Sequence, residues 1–266
     1  MKRLNVYTAS RSDEALCKRE SKLLLDLYEG SRLEDAEKLA RTLTIDTPRF
    51  ALGWKVLGSV YARRGQLQKS VESFRRLLKL DPKDFEAHNL LALSLQASKE
   101  FSKAEISFKN SLRLNKDYLQ ARINLGLMYY ELAKYVQAES CFKKVLRRKP
   151  KNIDAKINLG SVLLGRGDQA AAEEQFRGVL SQQPDNILAL NNLANLAAAA
   201  GRNEESEAFY RKVLKIKPRQ EVALYNLANV LKKQGKLEEA EECYLDCLSS
   251  APEFSEAHNN LGMTQV

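Results

Sequence analysis

The sequence repeats itself with a period of 34 residues, and this regularity constrains the fold more than any other feature. The most regular column of the repeat is aromatic and contains Phe74, Phe108, Phe142, Phe176, Tyr210 and Tyr244. A leucine column contains Leu57, Leu91, Leu125, Leu159, Leu193, Leu227 and Leu261, and Gly or Ala follows each of these leucines. A proline column contains Pro82, Pro150, Pro184, Pro218 and Pro252, and Lys116 interrupts it. Similar short units bury their apolar faces against their neighbours, so these columns predict a solenoid.

Each repeat has the pattern of a helix, a short turn and a second helix. In the repeat that begins at Leu119, Leu125 and Met128 follow helical spacing, and Phe142 and Val145 do so after a turn at Lys134. The small residue of the first helix allows a close approach of the second helix, and the aromatic residue fills the space between repeats. The predicted fold is therefore all-α, a right-handed superhelix of antiparallel helix pairs.

The period sets the boundaries of the repeats. Six full repeats are predicted at 51–84, 85–118, 119–152, 153–186, 187–220 and 221–254. A divergent repeat at 17–50 is predicted to cap the array, because it lacks the aromatic residue and the small residue of the first helix. Residues 255–266 begin a truncated seventh repeat, and residues 1–16 fit no repeat and are predicted to form a flexible arm.

The period and the fixed offsets of the aromatic, small and proline residues resemble the tetratricopeptide repeat (TPR). The segment WKVLGSVYARRGQLQKSVESFRRLLKLDP, which begins at Trp54, matches that motif at almost every signature position. The resemblance implies that the first helices line a concave face. It also implies that the protein is a scaffold that binds a protein or peptide partner. The exposed ends of such an array could also support self-association.

One polar column of the first helices is the candidate binding site. The asparagines of this column, called the asparagine ladder below, are Asn124, Asn158, Asn192, Asn226 and Asn260. A carboxamide can both donate and accept hydrogen bonds, so a row of them could hold a peptide backbone without reading its side chains. Helices lie ~8–10 Å apart and a strand advances ~3.3 Å per residue, so each asparagine would meet about every third peptide residue. Asn195 and Asn229 lie three residues after two ladder members and are predicted to widen this polar strip.

An alternative explanation of the ladder is that asparagine is a common choice at this TPR position and serves local hydrogen bonding. The blocks INLG (123–126 and 157–160) and AHNNLG (257–262) favour the binding interpretation. They resemble the TPR superhelix of O-linked N-acetylglucosamine transferase and its bacterial relatives, in which an asparagine ladder holds substrate polypeptides. This resemblance implies an alternative function, in which the chain is the substrate-binding arm of a larger glycosyltransferase.

The charge of the chain raises the alternative of nucleic-acid binding. The formal net charge is +9, with 43 basic and 34 acidic residues. Basic residues are concentrated in repeats 51–84 and 119–152, and the densest cluster is Arg147, Arg148, Lys149 and Lys151. Cations at a helix C-terminus also suit the helix dipole, so we expect this cluster to be a solvated helix end. Binding to RNA through the basic repeats remains an alternative that salt dependence would test.

The sequence shows no catalytic, cofactor or metal motif, so we predict neither enzymatic activity in these residues nor a cofactor. His88 and His258 occupy the repeat position of Trp54 and are predicted to serve packing rather than catalysis. The cysteines are Cys17, Cys141, Cys243 and Cys247, whose spacing suggests neither a disulfide framework nor a metal site. The start of the sequence lacks the apolar stretch of a secretory signal, and we expect a cytoplasmic protein that does not cross a membrane.

Overall fold

The computed structural model describes residues 11–264, with side chains from residue 19 onward. This part of the chain contains fifteen α-helices and no strand, which confirms the all-α prediction. The helices are α1 (Arg11–Glu29), α2 (Leu33–Asp46), α3 (Ala51–Arg63), α4 (Leu67–Leu80), α5 (Phe85–Ala97), α6 (Phe101–Leu114), α7 (Leu119–Glu131), α8 (Tyr135–Arg148), α9 (Ile153–Gly165), α10 (Gln169–Leu180), α11 (Ile187–Ala199), α12 (Asn203–Ile216), α13 (Glu221–Lys233), α14 (Leu237–Ser250) and α15 (Ser255–Gly262).

The chain divides into two compact units, Met1–Met128 and Tyr129–Val266, and the division falls within α7. In the first unit, α3 pairs with α4 and α5 pairs with α6, while α2 packs on α3 and α4 packs on α5. In the second unit, α9, α11 and α13 pair with α10, α12 and α14, and each pair packs on the next. The main contacts thus join helices that are neighbours in sequence, as expected for stacked helical hairpins.

Local sequence sets where these helices begin and end. The side chains of Asp84, Asn152 and Asn186 accept hydrogen bonds from backbone N–H groups in the first turns of α5, α9 and α11, at 2.7–3.0 Å. Helix α4 ends two residues before Pro82, where the residue preceding proline leaves the helical conformation. Helix α6 ends at the equivalent position although Lys116 replaces the proline. There the Asn115 side chain accepts a hydrogen bond from the Asp117 N–H at 3.0 Å.

The turn between the two helices of a pair has a left-handed residue at a fixed repeat position. Glycine occupies it at Gly65, Gly167, Gly201 and Gly235, with φ of 70–83°. Three repeats have Ser31, Lys99 and Ala133 there, at φ 53–63°. Glycine adopts this conformation without a steric cost, whereas other residues adopt it at a cost.

The aromatic column is the centre of the core, as predicted. Each of its six side chains is at least 99% buried. A Cβ atom at Gly58 would lie 2.7 Å from the Phe74 ring, and one at Gly160 would lie 2.6 Å from the Phe176 ring. The small residue therefore leaves room for the ring to pack against the first helix of the same repeat. Because the rings are buried, they cannot stack on nucleic-acid bases.

The N-terminal repeat departs from the prediction at two points. Helix α1 begins at Arg11, so residues 11–16 are helical and not an arm, and residues 1–10 of the predicted arm lie outside the described residues. Residues 11–20 are rich in Ala, Leu, Glu, Lys and Arg, which favour the helical conformation. Leu23 lies one period before Leu57 and is therefore the expected member of the leucine column, but it is 49% exposed. The adjacent Leu24 is buried instead and packs against α2 and α3.

Candidate functional site

The asparagine ladder lies on α7, α9, α11, α13 and α15, the first helix of each repeat. Asn124 is buried, whereas the other four members are half-buried. The five side chains occupy the same position in their repeats, yet they differ in their hydrogen bonds.

Asn124 belongs to a buried cluster of polar side chains. It is only 8% exposed, and its Nδ2 donates to Asn89 Oδ1 at 3.0 Å. Its Oδ1 accepts a hydrogen bond from Gln120 Nε2 at 3.1 Å. This member is thus largely satisfied by its own unit, as the alternative of local hydrogen bonding expects.

Asn158 and Asn192 are more open. Nδ2 of Asn192 donates to the carbonyl oxygen of Leu188, one turn earlier in α11, at 2.8 Å. Asn158 makes no side-chain hydrogen bond to any residue that the structure describes, and neither of its polar atoms is buried. Its carboxamide is free to donate and to accept.

Asn260 is held by a network of tyrosine and asparagine side chains. Its Nδ2 donates to Asn229 Oδ1 at 2.8 Å and to the Tyr225 hydroxyl at 3.1 Å. The Tyr244 hydroxyl donates to the same Asn229 Oδ1 at 2.6 Å. The Tyr225 ring also lies 4.9 Å from the Phe254 ring, centroid to centroid. Asn229 is therefore fixed by the aromatic column of its own repeat and by the ladder member of the next.

One repeat earlier, the Tyr210 hydroxyl donates to Asn195 Oδ1. Burial raises the pKa of Tyr210 to about 12, and the Asn226 side chain opposes that rise. Asn195 and Asn229 thus bind hydroxyls of the aromatic column, and Asn229 also connects that column to the ladder through Asn260. The sequence analysis did not assign this role to either residue.

The two tyrosine hydroxyls were missed because the aromatic column was interpreted only as core. A signal was present in the sequence. The column changes from Phe to Tyr only at Tyr210 and Tyr244, and each has an asparagine 15 residues earlier, at Asn195 and Asn229. The repeats with Phe74 and Phe176 have Ser59 and Ser161 at that earlier position.

The histidines bond to the preceding loop rather than pack in the core as predicted, since His88 is half-buried and His258 is exposed. Nε2 of His88 lies 3.1 Å from the Pro82 carbonyl oxygen, and Nε2 of His258 lies 2.8 Å from that of Pro252. Trp54 Nε1 donates to the carbonyl oxygen of Pro48 at 2.9 Å, which is the same bond in the first full repeat. In these three repeats the position ties the first helix to the preceding loop.

The cysteines form no ligand set in the described part of the chain. Sγ of Cys247 donates to the Glu221 carbonyl oxygen at 3.3 Å, and Cys141 is buried. Burial raises the pKa of Cys243 to about 11, which opposes the thiolate form that binds metals. The Cys17 side chain lies outside the described residues. No group of three or more His, Cys, Asp and Glu side chains within the described residues could hold a metal ion.

Acidic side chains on the second helices form ion pairs with arginines. Glu173 contacts Arg177 and Arg202, both at 2.7 Å, and Glu205 contacts the same two arginines at 2.5 and 2.8 Å. The hydrogen bond from Arg202 is the main cause that lowers the pKa of Glu173 to about 2.

The basic cluster at 147–151 lies exposed at the end of α8 and in the loop that follows.

The stacked hairpins, their glycine turns and their buried aromatic column define a helical repeat protein. Four tetratricopeptide repeat family models match residues 58–99, 89–153, 129–196 and 185–253. The chain belongs to the tetratricopeptide repeat family. A comparison with curated proteins gives no significant match.

Solved structures show the same fold. A tetratricopeptide repeat protein from Parabacteroides merdae is 21% identical, with a TM-score of 0.68 over 94% of this chain and 99% of that one. The C-terminal part of a repeat protein from Cytophaga hutchinsonii has a TM-score of 0.74 at 12% identity, over 91% of this chain and 99% of that one. YrrB, described as a TPR protein with an unusual peptide-binding site, is 20% identical, with a TM-score of 0.57 over 71% of this chain and 98% of that one. The TPR scaffold indicates a role in protein interaction.

No helix among the described residues combines the length and the apolar character needed to cross a membrane.

Proposed function

We propose that the chain is a scaffold that holds an extended polypeptide segment through its asparagine ladder. The observation that carries the proposal is the unused hydrogen-bonding capacity of the ladder in the unit Tyr129–Val266. Asn158 has no side-chain partner among the described residues, and Asn192 uses only its Nδ2. Carboxamides with unused donors and acceptors can bind the N–H and C=O groups of a peptide backbone.

The repeat supplies the periodicity that such a partner needs. The ladder members of this unit, Asn158, Asn192, Asn226 and Asn260, follow one another at intervals of 34 residues on successive first helices. A chain held through backbone groups is recognised by its extended form more than by its side chains. The likeness to YrrB, whose description names a peptide-binding site, is consistent with a peptide partner for this chain.

Replacing Asn158, Asn192 and Asn226 together with Ala tests the proposal. A library of random peptides of about twelve residues, long enough to span three ladder members at about three residues each, is selected on the wild-type chain. A peptide from that selection is then synthesised. Its affinity for the triple variant should fall at least ~tenfold, since each lost hydrogen bond contributes ~0.5–1.5 kcal/mol. Circular dichroism should show unchanged helicity.

The matched control replaces Glu174, Glu204 and Glu238 with Ala. These three residues are exposed on the second helices α10, α12 and α14, so their loss should leave peptide affinity unchanged. Equal affinity of the wild type and the ladder variant, or no selectable peptide at all, would show that the ladder does not bind polypeptides.

The second candidate function is that of a substrate-binding arm within a larger glycosyltransferase. The INLG and AHNNLG blocks, which resemble the repeats of O-linked N-acetylglucosamine transferase, favour it. The mass of the native protein in its source cells tests this candidate. A mass near 30.1 kDa would oppose it, whereas a much larger mass would direct attention to the additional domain.

A further inference from the structure

The last ladder member, Asn260, and its partner Asn229 have their orientations fixed by hydrogen bonds. Asn260 uses its Nδ2 group twice, toward Asn229 and Tyr225, so its Oδ1 is the atom left over. Asn229 uses its Oδ1 twice, toward Asn260 and Tyr244, so its Nδ2 is the atom left over. Neither leftover atom has a partner among the described residues, and neither is buried. The pair therefore exposes one acceptor and one donor, each fixed by the network.

The other asparagines near the ladder do not form such a pair. Asn195 accepts from the Tyr210 hydroxyl through Oδ1, which leaves its Nδ2 unused on an exposed residue. Asn192 donates only to the Leu188 carbonyl oxygen, and Asn158 has no side-chain partner among the described residues. The donor–acceptor pair is therefore established at Asn229 and Asn260.

We propose that Asn229 and Asn260 form a site of fixed polarity for one residue of an extended peptide. Asn260 accepts the backbone N–H through Oδ1, and Asn229 donates to the backbone C=O through Nδ2. The N–H and C=O of one residue point to the same side of an extended strand, which suits such a donor–acceptor pair. The inference deepens the proposed peptide-binding function and rests on it.

The polarity has a consequence for the kind of peptide that binds. A residue without an N–H cannot use the Asn260 acceptor, so proline or an N-methylated residue should be rejected at the peptide position that occupies this site. The position opposite Asn158 should tolerate both, because that carboxamide has no side-chain partner among the described residues and can present either end. The site thus selects the backbone by its donor and gives the bound peptide a preferred register.

The first test examines the free protein and needs no peptide. The full chain is labelled with nitrogen-15, and the side-chain amide signals of Asn229 and Asn260 are recorded. The Tyr244→Phe variant should shift these signals, because the Tyr244 hydroxyl holds Asn229 Oδ1, to which Asn260 also donates. The Tyr210→Phe variant is the matched control and should leave them unchanged, because that hydroxyl bonds to Asn195. Both variants should fold, since four repeats carry Phe in this column. Unchanged signals in the Tyr244→Phe variant would overturn the fixed polarity.

The second test uses the peptide selected on the wild-type chain. The Tyr244→Phe variant should bind it about three- to tenfold more weakly, the effect of one hydrogen bond. The matched control is Tyr130→Phe on α7, which removes an exposed hydroxyl outside the asparagine pair and should bind as the wild type does. N-methylation at the peptide residue that occupies the site should weaken binding, and Asn260→Ala should abolish that effect.

The outcomes separate this inference from the function on which it rests. A peptide that depends on the ladder yet binds the Tyr244→Phe variant at wild-type strength would overturn the polarity alone. Tolerance of N-methylation at every residue would do the same. The absence of any selectable peptide would overturn both the proposed function and the inference.

Discussion

Single side chains decide what each repeat can do, because the backbone of every repeat is nearly the same. Phe176 and Tyr210 fill equivalent core positions, yet only the tyrosine brings a hydroxyl to an asparagine of the first helix, Asn195. Glu173 and Glu174 are adjacent on α10, yet only Glu173 contacts two arginines. The same repeated position can therefore be core, binding site or ion pair according to one or two atoms.

The pH dependence of stability follows from Glu173. Its pKa is lowered from 4.5 to about 2 by hydrogen bonds from Arg202 and Arg177. A carboxylate with a lowered pKa stabilises the fold above the unfolded-state pKa, and this stabilisation is lost as the pH falls toward about 2. We expect Glu173→Gln to cost ~1–2 kcal/mol at pH 7, less than the full shift implies because solvent screens the half-exposed Arg177. The difference from wild type should shrink between pH 4.5 and about 2.

Urea unfolding at a series of pH values measures this difference. Glu174→Gln is the matched control, because Glu174 is exposed and makes no ion pair among the described residues. A Glu173→Gln variant whose deficit is the same at pH 7 and near pH 2 would mean that the ion pairs contribute nothing.

At the scale of the helix pair, the left-handed residue of the turn affects the stability of the protein. Ala133 adopts φ 53° at a position where four other repeats have glycine. An L-residue in the left-handed region costs ~1–2 kcal/mol, and glycine does not pay this steric cost. Glycine also raises the entropy of the unfolded state, which offsets part of the gain in stability. Ala133→Gly should therefore stabilise the protein by ~0.5–1 kcal/mol, measured as a higher urea midpoint.

The reverse substitution is the control for this prediction. A Cβ at Gly167 would meet no atom within 4 Å, so Gly167→Ala changes only the backbone preference. It should destabilise the protein by an amount similar to the gain at Ala133. If the two substitutions change stability in the same direction, the turn conformation is not what decides their effect.

Most of the helix pairs could be predicted from the sequence, because the period fixes the spacing of the apolar and turn residues. Helices α3, α5, α9, α11 and α13 begin where the predicted repeats 51–84, 85–118, 153–186, 187–220 and 221–254 begin. The start of α1 at Arg11 was missed, because residues before the first repeat carry no periodic signal. The ladder could be located by its column, but its hydrogen bonds could not. They depend on contacts such as Asn260 with Asn229, 31 residues apart, that only the packing of successive repeats creates.

At the scale of the whole molecule, the net charge of +9 and the ladder lead to different expectations for the partner. A protein that binds RNA through its basic residues releases counterions, so its affinity falls steeply with added salt. A peptide held through backbone hydrogen bonds releases few ions. Salt dependence therefore separates the two kinds of partner better than affinity does.

We expect a selected peptide without charged residues to bind with an affinity that changes less than about twofold when salt is raised about sixfold, from low to moderate concentration. If the protein binds RNA through about three phosphate contacts, its affinity for a single-stranded RNA should fall at least ~tenfold over the same range of salt concentration. Fluorescence anisotropy with labelled peptide and labelled oligouridine measures both. The ladder variant should weaken the peptide and leave any RNA signal unchanged, because neutral asparagines contribute no counterion release. Tight, salt-sensitive RNA binding with no peptide binding would instead assign the function to the basic repeats.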